Sequence, residues 1–313
     1  WRPDWDVWAG FGAARAAALD IDALASTRPI EYPVVTPADA ESMFDLLTYQ
    51  KGAAVVRMLE QFLGEEVFRD GVRRYLSAHL GGNTDNEDLW TALEEASGQP
   101  VGDLMHAWIF RGGFPVVEGT VEGGRCTLVQ SRFRYDGADD DGRWQVPVRL
   151  RTTLGEQRIL LGDSPLVLDL EGPLVTLNAG AEGFYRSEVD VSPDPGRLTP
   201  VERAMSVDDR WAATLGGRHD PASFAGFVAA FADDPDLAVW QAVLRGLYTM
   251  DLVAPGRHPR MAAEAAGLLE VMVHRLGWEP SDDEDDRTRQ LRGVLLVAAG
   301  TLADDPDVIG EAR

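Results

Sequence analysis

Cysteine is nearly missing: Cys126 is the single one among 313 residues. No intrachain disulfide can form and no Cys-based metal site can be built. The scarcity fits a reducing compartment, so a cytoplasmic location is expected. Histidine is sparse as well. None of His79, His106, His219, His258 and His274 pairs with another at metal-ligand spacing, and H-E-x-x-H does not occur. A complete metal site is therefore not legible in this chain. Basic charge is short, with 29 Lys and Arg against 52 Asp and Glu and a formal net charge of −23. Such a surface repels phosphate backbones, which argues against nucleic acid as a partner. Lysine occurs once, at Lys51. No apolar run approaches the ~18 residues of a membrane-spanning helix, so no membrane segment is expected. The chain opens at Trp1 without Met, a charged leader or an apolar leader core, so no signal peptide is legible.

What is present supports real cores. Hydrophobic residues make up 45% of the chain, and the length suits about two or three domains. Residues 1–113 read as helical. Trp1, Trp5 and Trp8 recur on one helical face. Arg28-Pro29 stops the first helical pattern, and an extended stretch Ile30 to Val35 follows. Thr36, Pro37 and Asp39 form a helix start, with the helix expected to run to Leu63 and stop at Gly64. Further helices are expected over 65–79, from a Thr84/Glu87 capping box to Gly98, and over 101–110. Residues 114–192 switch to short alternating runs separated by Gly-rich turns, the pattern of a small antiparallel β-sandwich, with the acidic Asp136 to Asp141 run as a hairpin loop. A Pro/Gly linker over 193–200 leads to residues 197–313, again helical. Starts are expected at Thr199-Pro200, Asp220-Pro221 and Asp234-Pro235. Successive amphipathic helices there predict a stack of helical hairpins, cut short at Arg313.

The segment from Phe44 to Phe62 carries the chemistry. On a helical wheel Phe44, Leu47, Val55, Met58, Leu59 and Phe62 share one face, and Leu46, Tyr49, Ala53 and Val56 share nearly the opposite one. That pattern predicts a helix buried on both sides. Tyr49 then places a phenol among the small residues Gly52 and Ala53, where a neighbour can approach closely. On its own, such a Tyr reads as a packed residue bonded to a carbonyl. Lys51 reads as a surface or ion-paired residue. Asp45 is expected to pair with it or with an Arg, and its six-residue separation from Lys51 excludes an i,i+4 pair. His79 and His106 read as structural or exposed residues rather than ligands.

The run Phe44-Asp45-x-x-Thr48-Tyr49-x-Lys51-Gly52-Ala53, followed by Val56-x-Met58-Leu59, resembles a block of the gluzincin zinc aminopeptidases of the aminopeptidase N and puromycin-sensitive types. Other blocks fall in that family's order. They are Asp20-x-x-x-Leu24-x-Ser26-Thr27-x-Pro29-Ile30, Asn83-x-x-x-Glu87-Asp88-Leu89-Trp90, and Trp108 with Gly113-Phe114-Pro115-Val116. Trp144-x-Val146-Pro147, Asn178-x-Gly180-x-x-Gly183-Phe184-Tyr185-Arg186 and Asp209-Arg210 follow. The resemblance spans nearly the whole chain. At one place it departs: the family usually has His where this chain has Arg28.

The resemblance implies a multidomain α and β protein: the helical end of a thermolysin-like catalytic domain (1–113), a β-sandwich (114–192) and an incomplete HEAT- or armadillo-like helical domain (197–313). It implies a parent enzyme that uses zinc to remove N-terminal residues from peptides. It also implies that the zinc ligands and the loop that binds the substrate amine lie upstream of Trp1, so the chain alone is expected to be inactive. Tyr49 takes, by resemblance, the role of a hydrogen-bond donor to the oxyanion formed at the scissile carbonyl. The alternative is a non-catalytic binding or scaffold homologue of the same architecture. Substrate preference and oligomeric state are not legible in the sequence.

Overall fold

Local capping chemistry sets most of the element boundaries in the computed structural model, which describes residues 7–138, 141–191 and 194–313. Two compact units result, one over Gly10–Pro193 and one built on Asp194–Arg313.

The first unit is entered through α1 (Val7–Asp22). Trp1 and Trp5 of the expected aromatic face lie outside the described residues, and Trp8 stands half exposed on α1. A short α2 (Pro37–Ser42) begins at the expected Thr36 cap, whose side chain and Asp39 exchange hydrogen bonds in a capping box. Then come α3 (Gly52–Leu63), closed by Gly64 at φ 92°, and α4 (Glu65–Ala78). The next helix, α5 (Asn86–Ser97), is capped by Asp85 with Asp88, one residue on from the expected Thr84 box. Thr84 is engaged elsewhere, its hydroxyl 2.5 Å from Tyr75 Oη. The last of this group, α6, spans Val101–Phe110 as expected.

Seven strands follow among the described residues: β1 (Pro115–Glu122), β2 (Arg125–Arg132), β3 (Val146–Thr152), β4 (Glu156–Leu161), β5 (Leu166–Asp169), β6 (Leu174–Thr176) and β7 (Arg186–Val189). They form a four-stranded sheet in the order β5-β2-β1-β7 and a three-stranded sheet in the order β4-β3-β6. The expectation of a purely antiparallel arrangement needs one correction. β7 runs parallel to β1, pairing Val116 with Arg186 and Gly119 with Val189. A strand returning through a long connection can lie parallel to its neighbour, whereas a tight hairpin cannot. Of the acidic run before β3, Asp139 and Asp140 lie outside the described residues.

Packing joins helices and sheets within this unit. Trp108 of α6 meets Trp144 with ring centroids 6.0 Å apart and donates from its indole N–H to the Gln145 carbonyl at 3.0 Å. Phe114 stacks on Phe133 and meets Phe184 edge-on. The buried Gln130 amide of β2 donates to the carbonyls of Trp144 and Gly162 and accepts from the Trp144 N–H. Its polar atoms are thereby satisfied where an unpaired one would be costly. Burial pushes the Cys126 thiol up to about 11, leaving it protonated and unreactive.

The second unit is helical: α7 (Pro200–Leu215), α8 (Pro221–Val228), α9 (Leu237–Val253), α10 (His258–Leu276), α11 (Asp286–Thr301) and α12 (Pro306–Glu311). Thr199 caps α7 with Glu202, and Asp220 caps α8, as expected. The cap of α9 is Asp236 rather than Asp234. The Asp234 carboxylate is taken instead by a two-point ion pair with Arg203, at 2.5 and 3.2 Å. The core gathers Trp211, Phe224, Phe231 and Trp240 with aliphatic residues of α9, α10 and α11.

Gly246 of α9 is part of that core because nothing larger fits. A Cβ there would stand 2.6 Å from two Phe224 ring atoms and 3.1 Å from the Trp211 ring. Both rings are buried and rigid, so they cannot yield as a flexible side chain would. Gly246→Ala should therefore lower stability by ~1–3 kcal/mol, outweighing the gain in helix propensity of about 1 kcal/mol. The check is a lower urea midpoint at unchanged slope.

His258 bridges two carboxylates, with Nδ1 2.7 Å from Asp251 Oδ1 and Nε2 2.9 Å from Asp304 Oδ2. The bond to Asp251, then that to Asp304, raises its pKa above the ordinary value of 6.5. A His whose folded pKa is raised stabilises the fold fully below its unfolded pKa, and that contribution fades as pH rises through the folded pKa. Thermal unfolding followed from about pH 6 to about pH 9 should show the native chain losing stability relative to His258→Asn. Parallel pH profiles for the two forms would contradict the assignment.

Candidate functional site: the Tyr49 turn

The helix expected to run unbroken from 37 to 63 is interrupted. After Ser42 the chain turns through Met43 to Asp45 and starts again with a π-helical turn, Leu47–Lys51, that leads directly into α3. Asp45 starts it. Its Oδ1 accepts from the N–H groups of Leu47 and Thr48, each at 3.0 Å, and its backbone carbonyl accepts from the Tyr49 N–H at 3.1 Å. Three consecutive amides leading into the turn thus rest on one residue. At the far end the Gly52 N–H reaches back five residues to the Leu47 carbonyl. A π turn inserts an extra residue and shifts the phase of the helix. Phe44, expected in the core stripe, falls off it and is 74% exposed, while Leu47, Val55, Met58 and Leu59 stay buried. The opposite face, expected to be buried too, is open. Leu46, Tyr49, Ala53 and Val56 are exposed, since no described residue forms a layer over them.

Tyr49 sits in the middle of the turn. Its ring lies 6.1 Å from that of Phe44 and is 53% exposed. The phenol hydroxyl makes no hydrogen bond among the described residues, unlike the packed, bonded Tyr expected from the wheel.

Both ends of the turn are gripped, and both grips come from the segment that leaves α1. At the C-terminal end, Lys51 is fully buried. Its Nζ lies 2.8 Å from Asp22 Oδ2, and both side chains have no exposure. The ammonium also donates to the carbonyls of Gly113 at 3.1 Å and Arg111 at 3.4 Å and faces the Phe184 ring. Asp22 Oδ1 accepts from the Gly113 N–H at 2.8 Å and the Thr27 hydroxyl at 2.5 Å. Burial pulls the Lys51 pKa below its ordinary value, and the Asp22 charge opposes that pull. At the N-terminal end, one Arg28 nitrogen lies 2.7 Å from Asp45 Oδ1 and donates to Thr48 Oγ1 at 3.1 Å. The other donates to the Pro29 and Ile30 carbonyls at 2.7 and 3.4 Å, and the guanidinium stacks 4.9 Å from the Tyr32 ring. Asp45 therefore pairs with an Arg, and Lys51 is ion-paired rather than on the surface. Asp22 was not singled out from sequence, and Gly113 was named only as part of the block Gly113-Phe114-Pro115-Val116, with no partner assigned to it. The usable signal was a lone lysine in a chain whose other basic residues are all Arg.

A family model described as the Peptidase family M1 domain matches residues 1–108, and one described as the ERAP1-like C-terminal domain matches residues 174–313. The chain is 32% identical to Tricorn protease-interacting factor F2 of Thermoplasma acidophilum, over 97% of this chain and 41% of that protein. It is 30% identical to Aminopeptidase M1-A of Oryza sativa subsp. japonica, over 98% of this chain and 38% of the relative, and 30% identical to Aminopeptidase M1 of Arabidopsis thaliana, over 97% and 38%. The chain belongs to the M1 peptidase family. It spans about two fifths of the length of the curated relatives it matches.

M1 peptidases are in general zinc-dependent, and the described residues of this chain do not form a zinc site. Among the described residues no three His, Cys, Asp or Glu side chains stand together as a metal would need. His79 faces Asp88 at 3.7 Å and packs on Tyr75, and His106 packs on Phe110. No described helix is long and apolar enough to cross a membrane. What this M1 chain does hold is a rigidly mounted phenol.

The mounting should be costly to break from one side. Removing one partner of a buried ion pair leaves an uncompensated charge, whereas replacing both with apolar groups is often tolerated. Lys51→Met should destabilise the chain by ~3–5 kcal/mol. The double change Lys51→Met, Asp22→Leu should recover part of that loss. Urea unfolding of the native, single and double forms tests this, and a single variant as stable as the native chain would contradict it.

Proposed function

We propose that this chain is part of a zinc-dependent aminopeptidase that removes N-terminal residues from peptides, and that Tyr49 donates a hydrogen bond to the scissile carbonyl oxygen as negative charge develops there. The observation that carries the proposal is the mounting of Tyr49: a phenol with an unengaged hydroxyl, half exposed, on a π turn anchored at both ends by Arg28 and Lys51. A phenol hydroxyl is a hydrogen-bond donor and can point its proton at such an oxygen. A donor held still before charge appears needs no reorganisation during the reaction, which is where electrostatic catalysis gains most. Single π turns recur at functional sites for the same reason: they present a side chain that a regular helix would aim elsewhere. The family match over residues 1–108 and the aminopeptidase names of relatives support the reading.

In this reading residues 1–113 are the helical end of a thermolysin-like catalytic domain, 114–192 a β-sandwich, and 197–313 part of a HEAT- or armadillo-like domain. The zinc ligands come from outside this chain, peptides are the substrates, and the parent works in the cytoplasm. The chain alone should show no turnover of an aminoacyl-anilide and no stoichiometric zinc by metal analysis. In the full-length protein, Tyr49→Phe should lower kcat by about 10²- to 10³-fold, with KM and zinc content nearly unchanged. An unimpaired kcat would remove Tyr49 from the reaction, and a full-length protein with no peptidase activity would favour a scaffold homologue.

A further inference from the structure

Arg28 does not touch the Tyr49 ring, yet it holds the residue on which the Tyr49 turn is built. Asp45 receives the amides of Leu47, Thr48 and Tyr49. The Arg28 guanidinium engages the same Asp45 oxygen that caps Leu47 and Thr48, and also the Thr48 hydroxyl next to Tyr49. Its second nitrogen is tied to the carbonyls of Pro29 and Ile30, so the fork is itself immobilised against the extended segment rather than swinging from a free chain. The face it packs against is closed by Tyr32, whose hydroxyl lies 2.6 Å from Ser42 Oγ at the end of α2. The break between α2 and the π turn contains no Gly or Pro to define its angle. Arg28 holds the π-turn side of that break directly, through Asp45 and Thr48, and reaches the α2 side through the Tyr32 ring on which it stacks.

We infer that Arg28 is a positioning residue for the reaction: it fixes the angle at which the π turn leaves α2 and hence where the Tyr49 hydroxyl points. The inference rests on the donor role proposed above for Tyr49. Misplacing a donor by about an ångström can lower a rate by up to about 10²-fold without any loss of contact to substrate. A planar fork that spans a carboxylate, a hydroxyl and two carbonyls fixes direction as well as distance, which a lysine ammonium on a flexible stem does not.

A double-mutant cycle in the full-length protein tests the inference, with kcat, KM, zinc content and unfolding midpoint measured for Arg28→Ala, Tyr49→Phe and the pair. Arg28→Ala should lower kcat by about 10- to 10²-fold, leaving KM within about two-fold and zinc content unchanged. With Phe already at position 49, the Arg28 change should alter kcat by no more than about two-fold. Should Arg28→Ala fail to fold, Arg28→Lys replaces it in the cycle, with a smaller loss and the same dependence on Tyr49. Losses that simply add, or an unchanged kcat on altering Arg28 while Tyr49→Phe is impaired, would overturn the positioning role and leave Tyr49 as donor. An unimpaired Tyr49→Phe would overturn the donor role, and the Arg28 inference with it.

Discussion

The ion pair between Lys51 and Asp22 lies 2.8 Å apart with neither side chain reaching solvent. A pair this deep gains Coulomb energy but loses the hydration of two ions, so its net contribution to stability is small. Its effect is on geometry. The Lys51 ammonium is satisfied only if the Gly113 and Arg111 carbonyls are in place, and Asp22 only if the Gly113 N–H and the Thr27 hydroxyl are. Three regions far apart in sequence therefore share one set of hydrogen bonds: the end of α1 with the turn after it, the π turn, and the junction between α6 and β1. Any displacement of one leaves a charge unpaired in a low-dielectric interior, which is more costly than the displacement itself.

That constraint explains how an irregular element can be rigid. A π turn has poorer hydrogen-bond geometry than an α-helix and persists only where its surroundings determine it. Here the segment from Asp22 to Arg28 supplies both determinants, one at Lys51 and one at Asp45, with Tyr49 between them. The remaining architecture supports this small region. The Phe114, Phe133 and Phe184 cluster sits beside the Gly113 junction, and Phe184 lies 5.7 Å from the Lys51 ammonium. The sheets thus brace the site without contributing a residue to the proposed chemistry.

Much of this was legible in the chain. The Thr36 box, the stop at Gly64, the 101–110 helix and the Thr199 box all follow from local hydrogen bonds that need no distant partner. Where two local candidates competed, a tertiary partner decided. Tyr75 engages Thr84 and leaves Asp85 to cap α5, and Arg203 occupies Asp234 and leaves Asp236 to cap α9. The break at Asp45 escaped because its apolar periodicity continues through it and no Gly or Pro marks it. The cap that defines it looks, in sequence, like an ordinary acidic residue inside a helix. β7 escaped because its partner is β1, about seventy residues earlier in the register that pairs Val116 with Arg186. Tyr49 was found by resemblance, while the burial expected for it was wrong. The identity of a candidate site residue and its environment are separate pieces of information, and only the first was local.

The central claim is that the grip of Asp22 and Arg28 on the π turn exists to aim the Tyr49 hydroxyl. The most direct measurement is a crystal structure of the full-length protein bound to a phosphonate analogue of a dipeptide, whose tetrahedral oxygen mimics the oxyanion. The account predicts Tyr49 Oη about 2.7–3.1 Å from that oxygen, with the Lys51–Asp22 and Arg28–Asp45 pairs intact. A hydroxyl beyond about 3.6 Å, outside hydrogen-bond range, with both pairs intact, would contradict it.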